Sequence, residues 1–270
     1  MDFTFEIYRR LLSAIRQADY SFYTFEQFCN GKANGKFVIL RHDVDLKAEN
    51  SLSIAHIENK LGIVASYYFR VVPQSDKPYI IKEIATLGHE IGYHYEDMSL
   101  FNGDDKKAIA HFEEKLEYFR KYYPVKTICM HGRPTSRYDN RDLWKHYNYR
   151  DYGVIGEPYC DIDFMHMQYL TDTGRMWDGA RYNLRDKVGI SGTIETFHST
   201  LDMIRAIEGG RFPERSMITT HPQRWTDHRL PWLKELVMQK MKNVVKRVLV
   251  KSRWGYDEKY SGGECERGGE

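Results

Sequence analysis

The sequence predicts an α/β protein, a distorted (β/α) barrel of about seven parallel strands that forms a single domain. Three observations support this fold class. Short apolar runs alternate with stretches in which apolar residues recur every three or four positions. Those helical stretches are ~10–15 residues long, which suits right-handed crossovers between parallel strands. Polar residues with acid–base or metal-binding chemistry follow the ends of the apolar runs. A doubly wound open sheet is the alternative, and 270 residues permit either architecture.

The individual elements follow from apolar spacing and from turn residues. This spacing predicts a helix over residues 5–18, ahead of the first strand. The run Phe37–Leu40 predicts a buried strand that leads into the charged loop Arg41–Asp45. A helix over residues 48–61 then ends at Gly62, which suits a left-handed C-terminal cap. By the same criteria, extended segments are predicted at 63–69, 90–95, 125–130, 152–155, 167–170, 188–197 and 216–220, and helices at 79–87, 106–122, 140–147, 198–207 and 230–250.

Composition limits the classes of function. The formal net charge is +2, from 40 Lys and Arg against 38 Asp and Glu, which is too small for a broad phosphate-binding surface. We therefore expect no nucleic-acid partner. The first residues lack a basic start followed by an apolar run, and no segment reaches the ~20 apolar residues of a membrane span. We expect a cytoplasmic protein without a transmembrane segment, in which the four widely spaced cysteines are reduced.

The same patterns divide the chain into three parts. Residues 1–35 are predicted to form an N-terminal helical extension. Residues 36–254 are predicted to form the (β/α) barrel and a C-terminal helix. Residues 255–270 carry glycines and charges without an apolar face, which predicts a disordered tail.

Candidate functional residues follow the predicted strands. In a parallel βα architecture, reactive groups lie at the carboxyl ends of the strands. The residues at those positions are Asp43, Asp45, His94, Glu96, His131, Arg133, Asp172 and His221. The pair Asp43 and Asp45 suits one carboxylate that binds a metal and a second that accepts a proton. Aspartate and histidine ligands favour zinc, iron, cobalt, manganese or nickel over a thiolate-bound metal.

Each of these residues also has a structural interpretation. Aspartate at a strand end can cap the next helix, and an isolated histidine is often simply hydrogen-bonded. Pro222, directly after His221, can mark a turn. The sequence contains no GxGxxG, GxxxxGK[ST], HExxH or GxSxG motif, which excludes the common phosphate-binding, zincin and serine-hydrolase patterns. A metal-assisted hydrolase remains as the hypothesis.

Four motifs in order resemble the polysaccharide deacetylase, or NodB-homology, family. They are Ile39–Asp45 (ILRHDVD), Gly88–Glu96 (GHEIGYHYE), Met130–Pro134 (MHGRP) and Ile218–Pro222 (ITTHP). The resemblance spans residues 36–225. It implies a distorted (β/α) barrel and a metal-dependent carbohydrate esterase that removes N- or O-acyl groups.

The resemblance also implies roles for individual residues. Asp43 matches the catalytic base, Asp45 and His94 match metal ligands, and His221 matches the general acid. Met98 stands where the family has its second metal-binding histidine, so either His131 or Glu96 would supply the third ligand, with His131 preferred because imidazole replaces imidazole. Arg133 would pair with the base. Asp172 or Asp178 would orient His221.

These residues together predict a metal-dependent hydrolase that removes an acyl group, N-acetyl first among the choices, from an amino sugar of a glycan or glycan precursor. Zinc is the expected metal. The alternatives are hydrolysis of a cyclic amide or formamide on the same scaffold and a catalytically inactive carbohydrate-binding relative. Met98 favours the inactive relative, whereas the combination of Asp43, Asp45 and His221 argues against it.

The predicted C-terminal helix suggests a further partner. Residues 230–254 contain seven Lys or Arg residues against one acid, Glu235. The apolar residues of this segment would cover one side of the helix and pack on the barrel, leaving a solvated basic face. The alternative is peripheral contact of the basic face with anionic lipid.

Overall fold

The computed structural model describes residues 1–133, 135–177 and 196–253, with side chains described as far as residue 244 in the last helix. The strands are β1 Ser21–Tyr23, β2 Phe37–Val44, β3 Ser66–Phe69, β4 Glu90–Tyr95, β5 Ile128–Met130, β6 Gln168–Thr171 and β7 Arg215–Thr220. The α-helices are α1 Phe5–Gln17, α2 Phe25–Cys29, α3 Ala48–Lys60, α4 Pro78–Thr86, α5 Asp97–Leu100, α6 Asp105–Arg120, α7 Pro158–Asp161, α8 Thr200–Glu208 and α9 Arg229–Arg253. Short 3-10 helices span Asn140–Lys145, Tyr149–Tyr152 and Pro222–Arg224.

The seven strands of the described residues pair in parallel in one sheet. Their order is β5-β4-β3-β2-β7-β6. The strand β1 pairs with the first half of β2, and β3 pairs with the second half on the same side of β2. The sheet curls into a half-barrel with helices around it, which confirms the predicted α/β class and distorted barrel. Because every strand runs in the same direction, the carboxyl ends of β2, β4, β5, β6 and β7 lie at one edge of the sheet.

The strand β2 is the centre of this sheet. All eight of its residues are buried, and it pairs with β1, β3 and β7. The sequence predicted a strand only to Leu40, because the charged residues after it are typical of a loop. The strand continues to Val44, so Arg41 and Asp43 lie within the sheet rather than in a loop.

Local sequence signals explain where the helices begin. The Thr4 side chain accepts a hydrogen bond from the backbone N–H of Ile7 and so caps α1, and Asp104 caps α6 in the same way. The buried face of α1 includes Leu11, Leu12 and Ile15. Burying these apolar side chains against the core stabilises the helix more than its intrinsic propensity does.

Several local predictions are wrong. The strand predicted at 152–155 does not form; residues 149–152 make a 3-10 helix that Gly153 ends with a positive φ of 69°. The N-terminal segment, predicted to be helical, also contains β1. The helix predicted at 140–147 is the 3-10 helix Asn140–Lys145. The predicted tail at 255–270, Asp178 and residues 188–195 of the predicted extended segment lie outside the described residues.

Candidate active site

A buried arginine holds the carboxylate of Asp43 in place. Alternation along β2 puts Arg41 and Asp43 on the same face of the strand. Arg41 Nε donates to Asp43 Oδ1 at 2.8 Å and Nη2 donates to Oδ2 at 2.7 Å, a two-point ion pair. Burial alone would raise the pKa of Asp43, but Arg41 and then His94 favour the carboxylate and hold its pKa at about 2. Asp43 is therefore ionised at neutral pH.

Three side chains from different strand ends converge next to Asp43. They are Asp45 after β2, His94 in β4 and His131 after β5, and their ligand atoms lie within 4.8 Å of one another. His131 Nδ1 is 3.0 Å from Asp45 Oδ1 and 3.2 Å from His94 Nε2, and His94 Nε2 is 3.6 Å from Asp45 Oδ1. The structure therefore brings together the three residues that the sequence predicted as metal ligands.

Neighbouring groups orient these donors. His94 Nδ1 is 2.9 Å from the carbonyl oxygen of Cys129, which fits an N–H donated there and leaves Nε2 as the electron-pair donor toward the cluster. The backbone N–H of His131 donates to the Tyr95 carbonyl, and Asn140 Nδ2 donates to the His131 carbonyl at 2.7 Å. Hydrogen bonds on the side away from the cluster thus fix the His94 ring and the His131 backbone.

Gln223 holds one oxygen of the Asp45 carboxylate, and the other oxygen faces His131 and His94. Gln223 Nε2 donates to Asp45 Oδ2 at 3.1 Å. Asp45 Oδ1 is buried and accepts no well-formed hydrogen bond from the described residues. Burial would raise the pKa of Asp45, but His131 and His94 lower it well below its usual value. A charged oxygen that is buried without a hydrogen bond is costly unless a cation binds there.

A second grouping of donors lies beside the first. Asp43, His94 and Cys129 also place one ligand atom each within 4.8 Å of one another. In this group both Asp43 oxygens already accept hydrogen bonds from Arg41. The set of Asp45, His94 and His131 is therefore the better candidate for a metal.

The remaining candidate histidine, His221, is hydrogen-bonded to Asp172. His221 Nδ1 is 2.6 Å from Asp172 Oδ1, and its backbone N–H donates to Oδ2. Arg224 Nη1 donates to Asp172 Oδ1 at 2.6 Å, and the indole N–H of Trp225 donates to Oδ2 at 2.7 Å. Burial would raise the pKa of Asp172, but Arg224 and His221 lower it below its usual value. The predicted role of Asp172 in orienting His221 matches these contacts.

Glu96 and Arg133 lie beside the cluster, with different partners from those expected. Arg70 donates to Glu96 Oε1 from Nε at 2.9 Å and from Nη2 at 2.5 Å, and Glu96 is not among the converging donors. Arg133 lies 4.0 Å from Glu96 Oε2, so the expected pairing of Arg133 with the base is wrong. Arg41 makes that pair because it shares a strand face with Asp43. Met98 is buried in the hydrophobic core, which suits its apolar side chain.

Sequence reasoning missed Arg41 and Gln223. The signal for Arg41 was its position two residues before Asp43, since residues i and i+2 of a strand share a face. The charged residues of this segment favour a loop, in which the rule that alternate residues share a face does not apply. Gln223, two residues after His221, carried no local signal because its partner Asp45 is 178 residues away in the chain.

Comparisons with known proteins give several similar solved structures. No family model matches the chain, and no curated protein matches it. One similar structure is a CE4 family pseudoenzyme from Bacillus anthracis, with 13% identity and a TM-score of 0.41, covering 77% of this chain and 62% of that chain. The chain thus spans less than two thirds of that protein.

For two further similar structures, the match covers more than nine tenths of the solved chain. A family 4 carbohydrate esterase from Streptomyces lividans in complex with acetate has 14% identity and a TM-score of 0.40, covering 78% of this chain and 91% of that chain. The peptidoglycan deacetylase PdaC from Bacillus subtilis has 13% identity and a TM-score of 0.38, covering 83% of this chain and 98% of that chain.

Proposed function

We propose that the protein is a metal-dependent hydrolase that removes an acyl group from an amino sugar of a glycan or glycan precursor. The expected acyl group is N-acetyl. The observation that carries this proposal is the convergence of Asp45 Oδ1, His94 Nε2 and His131 Nδ1 at one edge of the sheet, next to Asp43. His221 belongs to the same edge, since Thr220, directly before it, is paired with His42 of β2, directly before Asp43.

The three donors fit a divalent metal. Two imidazole nitrogens and one carboxylate oxygen are a donor set that zinc binds in catalytic sites, and iron, cobalt, manganese or nickel also accept it. The buried Asp45 Oδ1, without a well-formed hydrogen bond from the described residues, is an oxygen that a cation would satisfy. When bound, such a metal would polarise an acyl carbonyl and acidify a water molecule.

Asp43 is suited to accept a proton. Its Oδ2 lies 3.9 Å from His94 Nε2, so the carboxylate is beside the donor cluster without belonging to it. The two hydrogen bonds from Arg41 keep it ionised and stop it from turning toward the ligands. A carboxylate held in this way can take the proton of an attacking water molecule.

His221 is suited to donate a proton. The short contact between His221 Nδ1 and Asp172 fixes the ring and favours the tautomer with its proton on that nitrogen, so Nε2 is the nitrogen that exchanges protons. In its imidazolium form, His221 would donate the Nε2 proton to the departing amine and return to the neutral Nδ1–H tautomer, which would complete amide cleavage, since an amine leaves poorly as an anion.

Metal analysis combined with an assay of acetate release tests the proposal. Purified full-length protein, reconstituted with zinc, cobalt, manganese or nickel, should bind about one metal ion and release acetate from N-acetylated amino sugars and their oligomers. A panel of cyclic amides and formamides assays the alternative activity. Metal binding without any turnover on either panel would favour the inactive carbohydrate-binding relative, and failure to bind any of these metals would overturn the proposal.

A further inference from the structure

The helix α9 presents a stripe of apolar residues to solvent. Leu230, Leu233, Val237, Met241 and Val244 are spaced by three or four residues and form one stripe along the helix. Leu230 is 81% exposed, Met241 62% and Val244 58%. The expectation that the apolar residues of this helix pack on the barrel is therefore wrong for this stripe.

The polar side of α9 faces the rest of the protein. Gln239 is 5% exposed, and Asn243 Nδ2 donates to the Gly174 carbonyl at 3.0 Å. Trp232 donates its indole N–H to the Asp2 carbonyl at 2.7 Å, and Glu235 lies 3.7 Å from Lys47. At 100° per residue these positions lie opposite the apolar stripe. The outward direction of the stripe is thus set by specific contacts.

The charges that accompany the stripe are all positive. Lys234, Lys240 and Lys242 are exposed; on the helix Lys234 and Lys240 lie along the two edges of the stripe, whereas Lys242 lies about 140° from its centre. The one acid of α9, Glu235, is on the protein-facing side, where it meets Lys47. The sequence adds Lys246, Arg247, Lys251 and Arg253 to the same helix. An apolar stripe bordered by lysines is typical of helices that lie in the plane of a membrane surface.

We propose that this face of α9 binds the surface of an anionic lipid bilayer. Charge complementarity favours this occupant over a second copy of the chain, because two such helices side by side would oppose lysines to lysines along both edges. Lysine stems can lie along the apolar stripe while their ammonium groups reach the headgroups. In the described part of the chain no helix has both the length and the hydrophobicity to cross a bilayer, so the contact is peripheral.

The position of α9 connects this surface to the candidate active site. Lys47 and Gly174, which α9 contacts, lie two residues after Asp45 and Asp172 respectively. A bilayer against the outer face of α9 would lie about one helix diameter, ~10 Å, from these loops. Membrane binding itself does not depend on the proposed hydrolase activity and is tested without it.

Vesicle sedimentation of the full-length protein tests this proposal. We expect binding to vesicles of phosphatidylcholine with about a third phosphatidylglycerol, a loss of most of this binding in high salt, and little binding to pure phosphatidylcholine. The variant Lys234→Gln/Lys240→Gln should bind about 25-fold more weakly, since each lysine near an anionic surface is worth about fivefold.

Two further variants separate charge from apolar burial. Leu233→Gln/Val237→Gln/Met241→Gln should also lose binding, because it removes the side chains that enter the interface. Lys32→Gln/Lys60→Gln, which changes two exposed lysines elsewhere by the same charge, should bind like the wild type. Thermal melting should be unchanged in all three, since the substituted side chains are exposed.

Three outcomes would overturn the proposal. One is equal or negligible binding to both vesicle types. Another is a loss of binding in the control variant that matches the loss in the α9 lysine variant. The third is a concentration-dependent dimer, measured by light scattering, that the α9 apolar variant abolishes while vesicles bind nothing, which would assign the face to a second copy of the chain.

Discussion

The carboxylates of Asp43 and Asp45 are separated by one residue and have different surroundings. Both Asp43 oxygens accept from Arg41, whereas Asp45 offers one buried oxygen to His94 and His131. Neighbouring side chains, and not residue type, thus distinguish the expected base from the expected ligand. The distinction can be tested one residue at a time.

We predict that Asp43→Asn keeps the metal and loses turnover by at least about a hundredfold, the usual contribution of a general base. Asp45→Ala and His94→Ala should lose the metal. Metal content by mass spectrometry after gel filtration and the rate of acetate release are the measurements. Full metal occupancy in both ligand variants would contradict the assignment.

The third ligand is a separate prediction. His131→Ala should empty the metal site, because Nδ1 of His131 is 3.0 Å from Asp45 Oδ1. Glu96→Gln should leave the site filled, because Glu96 is paired with Arg70. Isothermal titration of the apo variants with zinc measures both affinities. A filled site in His131→Ala and an empty one in Glu96→Gln would show that Glu96, and not His131, is the third ligand.

At the scale of elements, a glycine in β4 makes room for a side chain of the neighbouring strand β3. Gly92, two residues earlier in β4, has no side chain, and a Cβ there would lie 2.4 Å from Tyr68 Cε1 and 2.8 Å from the Thr127 carbonyl oxygen. Tyr68 packs into this space and its hydroxyl is 2.9 Å from Thr127 Oγ1. The glycine lets a buried ring lie across the strand.

We predict that Gly92→Ala lowers the free energy of unfolding by about 1–3 kcal/mol, the usual cost of overpacking a core. Urea denaturation of the metal-free protein measures it. Gly209→Ala is the control, since Gly209 is exposed at the end of α8 with an ordinary φ of -86°, and its change should stay within about 0.5 kcal/mol. Equal stabilities of Gly92→Ala and wild type would show that Tyr68 and Thr127 can move aside.

Element type was predictable where periodicity was long and clear. The helices α1, α3, α4 and α6 match the expected segments to within about two residues, as do β4 and β7. The short elements β1, α2, α5 and α7 were missed, since three to five residues carry too little periodicity to distinguish a helix from a strand. Their structure depends on partners distant in sequence; β1, for example, pairs with β2.

At the scale of the whole molecule, Asp172 connects the strands β6 and β7 with the N-terminal helix α1. It follows β6 and accepts hydrogen bonds from His221, Arg224 and Trp225, which follow β7. Trp225 in turn packs against Tyr8 of α1, with ring centroids 5.2 Å apart. One buried carboxylate thereby links β6, β7 and the N-terminal helix.

The pKa of Asp172 predicts how stability depends on pH. Because its folded-state pKa is below the unfolded value near 4, its stabilising contribution is present above about pH 4 and is lost as the pH falls further. Asp172→Asn should therefore cost about 3–5 kcal/mol at pH 7, the range for breaking a buried ion pair, and the deficit should shrink below pH 4.

Urea denaturation of the metal-free protein at pH 7, 5, 4 and 3 measures this difference. Asp151→Asn, a change at an exposed aspartate, is the matched control and should differ little from wild type at any of these values. A deficit for Asp172→Asn that stays constant from pH 7 to pH 3 would show that lost packing, and not the charge of Asp172, causes it.

The sequence by itself determined the alternation of strands and helices and the chemical character of each strand end. Both are local properties, since a period of two or of 3.6 residues and the residue that follows an apolar run can be read without knowing any partner. For that reason Asp43, Asp45, His94, His131, Asp172 and His221 could all be named as candidates.

Only the tertiary structure decided which candidates meet. That Arg41 rather than Arg133 pairs with Asp43, and that His131 rather than Glu96 joins Asp45, depends on strand length and sheet order. The direction in which the apolar side of α9 faces was likewise decided only by the tertiary structure. Periodicity shows that a helix has an apolar side, but contacts made elsewhere, such as Asn243 with Gly174, determine whether that side faces the core or the solvent.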